Sequence, residues 1–155
     1  FSGPAIVFDC EEEANAAILN GEVKAGQVAV IRYEGPKGGP GMREMYFAMK
    51  LLYGRGLAKK VALITDGRFS GTNNGCFVGH ISPEAAEGGP ISIVRNGDII
   101  TVDIENKRLD INLSDDEIQA RLSKWQRPKQ PLLGGVLGLY AKFAASASEG
   151  AMLKF

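Results

Sequence analysis

The chain has 155 residues, the length of one domain, and with 45% hydrophobic and 23% charged residues it is neither a disordered tail nor a collagen-like repeat. Its 18 basic and 18 acidic side chains cancel, which argues against a dedicated nucleic-acid-binding protein. Charges or glycines interrupt every apolar stretch before the roughly 18 residues that a membrane span needs. The two cysteines, Cys10 and Cys76, are too few for a disulfide framework, so we expect a reduced, cytoplasmic protein.

The first half of the chain is predicted to alternate helices with buried strands. Phe1–Phe8 is interpreted as a lead-in cut from something longer, without the pattern of a signal peptide. Asp9 is the predicted N-cap of a helix over Glu11–Leu19, with Glu12 as its capping-box partner. Further along, the pattern predicts strands at Gln27–Tyr33 and Val61–Thr65 and a helix at Met42–Tyr53.

The second half is predicted to be mainly a β-meander followed by helices. Ile91–Val94 and Ile99–Ile104 flank Asn96-Gly97, a strong hairpin signal, and Leu109–Leu113 would extend the sheet. Ser114 and Glu117 form a capping box that opens a helix to about Trp125. A short helix is predicted after Ser82 as N-cap, ending at Gly88-Gly89, and a last helix at Val136–Ala145 carries an apolar stripe. This mixture indicates an α/β layered domain.

Glycine is the unusual component of the composition: 20 residues of 155, about 13%, against the ordinary ~7%. One glycine cluster lies in Glu34–Met45, EGPKGGPGMREM, directly after a predicted strand. Such a loop suits a backbone-lined anion or metal site, and equally an ordinary strand-to-helix turn. Its two carboxylates, Glu34 and Glu44, are both candidate Mg²⁺ ligands, although a solvated position on a helix is the commoner role for Glu44.

A second cluster, Ile64–Gly71 (ITDGRFSG), follows the next predicted strand and brings Asp66, Arg68 and Ser70 into one turn. The planar guanidinium of Arg68 matches the geometry of a carboxylate substrate. Ser70 with the single histidine, His80, would be a hydrolase pair, but the G-x-S-x-G elbow is missing and this alternative is disfavoured. The structural alternatives are a tight turn at Asp66 and a structural role for His80.

Three segments together resemble one family. EGPKGGPGMREM (Glu34–Met45), ALITDGRFSG (Ala62–Gly71) and VGHISPEAAEGGPI (Val78–Ile91) are similar to the C-terminal domain of the dihydroxy-acid dehydratase and phosphogluconate dehydratase family, closest to its dihydroxy-acid branch. The opening GPAIVFDCEEEA and the closing SASEGA also fit, so the resemblance covers nearly the whole chain, and residues 1–155 are expected to form a single domain. Three long motifs in order are a far stronger signal than one glycine pattern.

The resemblance implies a swivelling β/β/α domain with a mixed, barrel-like sheet flanked by helices. It implies a hydro-lyase that converts 2,3-dihydroxy acids to 2-keto acids in valine and isoleucine synthesis, using Mg²⁺ and an iron–sulfur cluster. Ser70 corresponds to the proposed catalytic base and Glu44 to a metal ligand, and we assign Arg68 to the substrate carboxylate. The cluster ligands would belong to an upstream, N-terminal domain that this chain lacks, so we expect the isolated domain to be inactive. The family is usually homodimeric.

Two other functions stay open at this point. One is a sugar-acid (aldonate) dehydratase with the same mechanism, for which Tyr46 and Phe47, just after Glu44, would be the residues to test as a pocket wall. The other is a non-catalytic binding module that kept the fold, against which the presence of both Ser70 and Glu44 argues.

Overall fold

The computed structural model describes residues 1–71, 74–129 and 134–155, and in these ranges it has one mixed sheet of six strands with four α-helices. The strands are β1 (Ser2–Phe8), β2 (Val28–Ile31), β3 (Ala62–Thr65), β4 (Phe77–Val78), β5 (Ile99–Asp103) and β6 (Arg108–Ile111). The helices are α1 (Glu11–Leu19), α2 (Tyr46–Gly54), α3 (Asp115–Leu122) and α4 (Gly135–Phe143). The predicted α/β class is confirmed.

The strand order is β4-β3-β2-β1-β5-β6, with parallel pairing from β1 to β4 and antiparallel pairing of β5 and β6. The sheet curls into half of a barrel, as the predicted barrel-like sheet requires. All residues of β2 and β3 are buried, which explains their unbroken apolar sequences VAVI and ALIT. Because β1, β2, β3 and β4 pair in parallel, their carboxyl ends meet at one edge of the sheet.

Alternate residues of β2 and β3 belong to two separate cores. On one face, Ala29, Ile31 and Leu63 pack with apolar residues of α1 and α2. Both helices lie on this side because β1, β2 and β3 are laid down in one direction along the sheet and right-handed crossovers then share a face. On the other face, side chains of β2 and β3 pack with β5 and with two 3₁₀ turns at Ala85–Glu87 and Pro90–Ile93.

Three expectations for the first half were wrong. Phe1–Phe8 is no lead-in: it contains the central strand β1, which pairs with both β2 and β5. The N-cap of α1 is Cys10 rather than Asp9, whose carboxylate lies 2.5 Å from the Arg32 guanidinium instead. Helix α2 begins at Tyr46 rather than Met42, because Glu44 forms a backbone bridge with Arg68 and Met42 has a positive φ of 49°.

The second half also departs from its prediction at the hairpin. Ile91–Val94 lies mostly in a 3₁₀ turn, and the antiparallel hairpin is formed by β5 and β6 instead. Asn96-Gly97 joins that turn to β5 and contacts β1, since the Val7 N–H donates to Asn96 Oδ1 at 2.7 Å. The turn at Ala85–Glu87 has Glu84 as its N-cap, not Ser82. The Ser114 cap is confirmed, with its hydroxyl accepting from the Glu117 N–H.

Candidate active site

The two glycine-rich motifs lie side by side at the carboxyl edge of the parallel strands. Glu44 and Arg68 form a parallel backbone bridge, and the Met45 N–H donates to the Arg68 carbonyl at 2.8 Å. The loop after β2 is thereby joined to the loop after β3. Crevices at this edge are the usual location of ligand sites in α/β folds.

Arg68 and Ser70 both lie on the loop that leaves β3. Arg68 is exposed, and its Nε donates to the Met42 carbonyl, which directs the guanidinium along the Met42–Met45 segment. Ser70 is half-buried, and the preceding Phe69 stacks on Phe77 with ring centroids 5.6 Å apart. The sequence-predicted candidates Glu44, Arg68 and Ser70 are therefore brought to the same two adjoining segments.

The structure separates the two carboxylates that the sequence left as alternative metal ligands. Glu34 is 3% exposed, and its Oε1 accepts from the Glu11 N–H at 2.9 Å and from Arg43 Nη2 at 2.8 Å. Glu44 is exposed, and among the described residues no hydrogen bond or ion pair engages its carboxylate. Glu34 is therefore committed to the fold, whereas Glu44 is available to a ligand.

Asp66 joins the loops that follow β2 and β3. Its side chain is fully buried and accepts three backbone N–H groups, from Tyr33 at 3.1 Å, Glu34 at 2.9 Å and Ala85 at 2.8 Å. Burial raises the pKa of the Asp66 carboxyl, while the three donors act in the opposite direction. Asp66 is thus more than the residue of a tight turn, because it holds three separate segments together.

Glu84 has the corresponding role in the glycine loop. It is 3% exposed, and its carboxylate accepts from the Lys37 N–H at 3.0 Å and from the Gly38 N–H at 2.8 Å. Its pKa is raised, mainly by burial. The approach is close enough to demand glycine, since a Cβ on Gly35 would lie 2.7 Å from Glu84 Oε2. Nothing in the HISPEAAEGG sequence singled Glu84 out from its exposed neighbour Glu87.

The acidic first turn of α1 anchors the segment that carries Glu44. Glu12 forms a bidentate pair with Arg43, with N–O distances of 2.6 and 3.0 Å. Glu11 Oε1 accepts from the N–H groups of Phe47 and Ala48 at 3.2 and 3.3 Å, so it caps α2, whose own N-cap offers no side-chain bond. These contacts join positions 31 to 37 residues apart, which is why local sequence patterns missed them.

A cavity of about 420 Å³ lies beside the glycine loop. Its lining includes Glu34, Gly39, Arg43 and Lys129, and Leu137 of α4. Glu44, Arg68 and Ser70 are not among the lining residues. The cavity therefore adjoins the candidate site at Arg43, which directly precedes Glu44 in the chain.

The described residues do not form a complete metal site of their own. In the ranges that the structure covers, no group of three or more His, Cys, Asp or Glu side chains is placed to hold an ion. Burial raises the pKa of both cysteine thiols, Cys10 and Cys76. Cys76 is partly buried and packs against the core that β2 and β3 form with β5. Within these ranges no helix has the length and apolarity to cross a membrane.

Comparison with known proteins decides the family. The model of the dihydroxy-acid/6-phosphogluconate dehydratase C-terminal domain matches residues 1–151. The chain belongs to this family. The resemblance inferred from the three glycine-rich segments is therefore confirmed.

Curated relatives from distant organisms match the chain over nearly its whole length. Dihydroxy-acid dehydratase of Acetivibrio thermocellus is 57% identical over 152 residues, covering 98% of this chain and 27% of the relative. The protein of the same name from Pyrococcus furiosus is 56% identical over 154 residues, covering 99% and 28%. That of Methylococcus capsulatus is 57% identical over 152 residues, covering 98% and 27%. The chain thus spans little more than a quarter of the length of these relatives.

Proposed function

We propose that the full-length polypeptide containing this chain is a dihydroxy-acid dehydratase of valine and isoleucine synthesis, and that this domain supplies Ser70 as base and Glu44 as metal ligand. The observation that carries the proposal is the backbone bridge between Glu44 and Arg68, which joins the two motif loops. The names of the three relatives favour this activity over a sugar-acid dehydratase. The unengaged carboxylate of Glu44 argues against a module that only binds.

Ser70 would remove the proton from C2 of the substrate. The C2–H bond breaks, the proton goes to Ser70 Oγ, and the electron pair forms the C2=C3 bond as the C3–O bond breaks. The departing hydroxide becomes water on taking up a proton. The enol then gains a proton at C3 and loses the proton of its C2 hydroxyl, which gives the 2-keto acid. A serine hydroxyl is a weak base at neutral pH, so its alkoxide needs stabilisation by neighbouring N–H groups or a cation.

Glu44 is suited to be the one Mg²⁺ ligand that this domain supplies. Mg²⁺ is commonly held by one or two carboxylates together with water and substrate oxygens, and Glu44 is the exposed, unengaged carboxylate of its loop. When bound, Mg²⁺ would orient the substrate carboxylate and hydroxyl, and an iron–sulfur cluster would act as Lewis acid on the leaving hydroxyl. The remaining ligands of both groups belong to the upstream domain in this proposal. Arg68 would neutralise the substrate carboxylate beside Glu44.

The test is keto-acid formation by the full-length protein, prepared anaerobically with Mg²⁺. We expect turnover of 2,3-dihydroxy-3-methylbutanoate and little turnover of aldonic acids. Ser70→Ala should lower kcat by roughly 10²- to 10⁴-fold, the usual value of a general base, with unchanged iron content. Ser123→Ala is the matched control, since that hydroxyl bonds the Ala120 carbonyl within α3. Near-normal turnover of Ser70→Ala would show that another group is the base.

The metal role of Glu44 is tested separately. Glu44→Gln keeps the size of the side chain and removes its charge, so we expect weaker Mn²⁺ binding in electron paramagnetic resonance titrations as well as slower turnover. Glu105→Gln, at an exposed turn position, should change neither. Unchanged Mn²⁺ affinity in Glu44→Gln would remove Glu44 from the metal site. Preference for an aldonic acid would transfer the proposal to sugar catabolism and direct attention to Tyr46 and Phe47, which are 45% and 66% exposed after Glu44.

The homodimer and the cytoplasmic location follow from the family and stay predictions. So does the inactivity of this domain by itself, which the absence of a complete metal site within the described ranges supports. Adding substrate and Mg²⁺ to the 155-residue chain alone should therefore give no keto acid.

A further inference from the structure

Helix α4 has an apolar sequence but no buried residue. Its nine residues, GVLGLYAKF, include one charge, Lys142. Val136, Leu137 and Leu139 are 78%, 47% and 55% exposed. Helix α3 is also without a buried residue, but half of its eight residues are charged, as expected for a helix that faces water. The composition of α4 is instead that of a helix with a covered face.

The C-terminal tail extends this apolar surface. The Ala145 N–H donates to the Met152 carbonyl at 2.8 Å and the Lys154 N–H to the Phe143 carbonyl at 2.9 Å, so the tail folds back on the end of α4. Its outward side chains add to the exposed area: Met152 at 63%, Leu153 at 43% and Phe155 at 97%. We call these three residues, with Val136, Leu137 and Leu139, the α4 face. Several large apolar side chains exposed on one short helix and the tail that pairs with its end are typical of an interface.

We propose that the α4 face is the surface on which the upstream domain of the same polypeptide packs. The family model describes a C-terminal domain, and about three quarters of each relative lies outside the match, so a large partner is available in the same chain. The α4 face also borders the candidate site, because Leu137 lines the same cavity as Glu34 and Arg43.

The metal site proposed at Glu44 is incomplete. This favours the upstream domain over a second copy of this domain as the partner of the α4 face. The described residues offer Glu44 but no cluster of ligands around it. In the proposed function, on which this inference rests, the remaining ligands belong to the upstream domain and approach this edge of the sheet. A second copy would lack the same ligands. An upstream domain that packs on the α4 face would instead lie over the cavity beside Arg43, next to the segment that carries Glu44.

Hydrogen exchange of α4 tests the proposal without relying on activity. We expect the amides of Gly135–Phe143 to exchange roughly tenfold or more slowly in the full-length protein than in the 155-residue chain alone. Leu139→Glu in the full-length protein should return them to the rate of the isolated chain. The matched control is Ile104→Glu, which introduces the same charge at a residue that is 73% exposed in the β5–β6 turn; it should leave α4 protected.

Two results would overturn the proposal. Equal exchange of α4 in the two proteins would mean that nothing upstream covers it. Concentration-dependent protection of α4 in the isolated chain, with a dimer in sedimentation that Leu139→Glu abolishes, would make a second copy the occupant. Because Leu139 is exposed, the variant chain should fold, which its far-ultraviolet circular dichroism checks. Neither result bears on Ser70 or Glu44, so failure here is distinct from failure of the proposed chemistry.

Discussion

Replacing Asp66 should be among the most destabilising single changes in this domain. Its buried carboxylate accepts the N–H groups of Tyr33 and Glu34, from the loop after β2, and of Ala85, from the first 3₁₀ turn. Asp66→Ala leaves all three donors without this partner in a site closed to water. Each buried donor that loses its partner costs about 1–3 kcal/mol, and relaxation of the loops reduces the sum.

We expect a loss of about 3–5 kcal/mol in the free energy of unfolding for Asp66→Ala. Asp66→Asn should lose about 1–2 kcal/mol. One carboxylate oxygen of Asp66 accepts from both Tyr33 and Ala85, and the amide oxygen of asparagine can retain these two bonds. Asparagine also buries no charge. Urea unfolding of the 155-residue chain measures both. The control Asp110→Ala removes a largely exposed carboxylate paired with Arg108 and should cost at most about 1 kcal/mol. An Asp66→Ala loss no larger than that of Asp110→Ala would refute the role assigned to the buried carboxylate.

The pH dependence gives an independent check on Asp66. Its pKa is raised in the folded state from the ordinary value of 3.8, so the folded chain retains a proton that the unfolded chain has lost. The contribution of this group to stability is therefore present below pH 3.8 and declines as the pH rises through the folded pKa. Asp66→Asn should remove part of that decline. A part would remain, because burial also raises the pKa of Glu84 and Glu11.

Two further predictions concern the loops around the site. Hydrogen bonding to Arg43 lowers the pKa of Glu12 from 4.5 to about 2, and the associated stability should be lost as the pH falls from 4.5 towards 2. Carboxyl NMR titration measures this pKa, and Arg43→Gln should raise it, although hydrogen bonds to the Glu12 N–H and to Cys10 still lower it. Gly89→Ala should destabilise the chain by several kcal/mol in urea unfolding, because the added Cβ would lie 1.8 Å from the Pro83 carbonyl oxygen. Gly54→Ala, with no atom within 4 Å of the added Cβ and a helical position, should be neutral or stabilising; equal losses in the two alanine variants would contradict the steric reasoning.

Local sequence patterns predict well the elements in which every residue is buried. Strands β2 and β3 are buried on both faces, so their apolar runs are visible without tertiary knowledge. Strand β1 was missed because Gly3 and Pro4 are poor strand formers in isolation, yet β1 lies between two partners in the sheet. The hairpin at Asn96-Gly97 was misplaced because that turn connects to β1, a contact that no local window contains.

The residues of the candidate site also fall into two groups, those that local sequence patterns indicate and those that they miss. Ser70, Glu44 and Arg68 could be named as candidates because they lie in recognisable motifs, and the structure brings their two segments together. The groups that shape the loops were not predicted: Asp66 seemed a turn residue, and Glu84 had no distinguishing signal. Their importance comes from the backbone N–H groups they receive from segments 19 to 47 residues away, which only the folded chain reveals.

The buried carboxylates suggest why a domain with so many glycines keeps one shape at its active edge. Glycine loops are costly to order, since each residue has more conformations to lose. Here Asp66, directly after β3, and Glu84, before the first 3₁₀ turn, each accept backbone N–H groups of such loops. These two side chains therefore set the geometry of the loops, rather than packing within the loops themselves. The candidate ligand Glu44 needs no such burial, because the segment that carries it is already held at Arg68 on one side and through Arg43 on the other. An exposed, unengaged carboxylate on a fixed backbone is the arrangement expected of a domain that offers one ligand to a site completed by another part of the same protein.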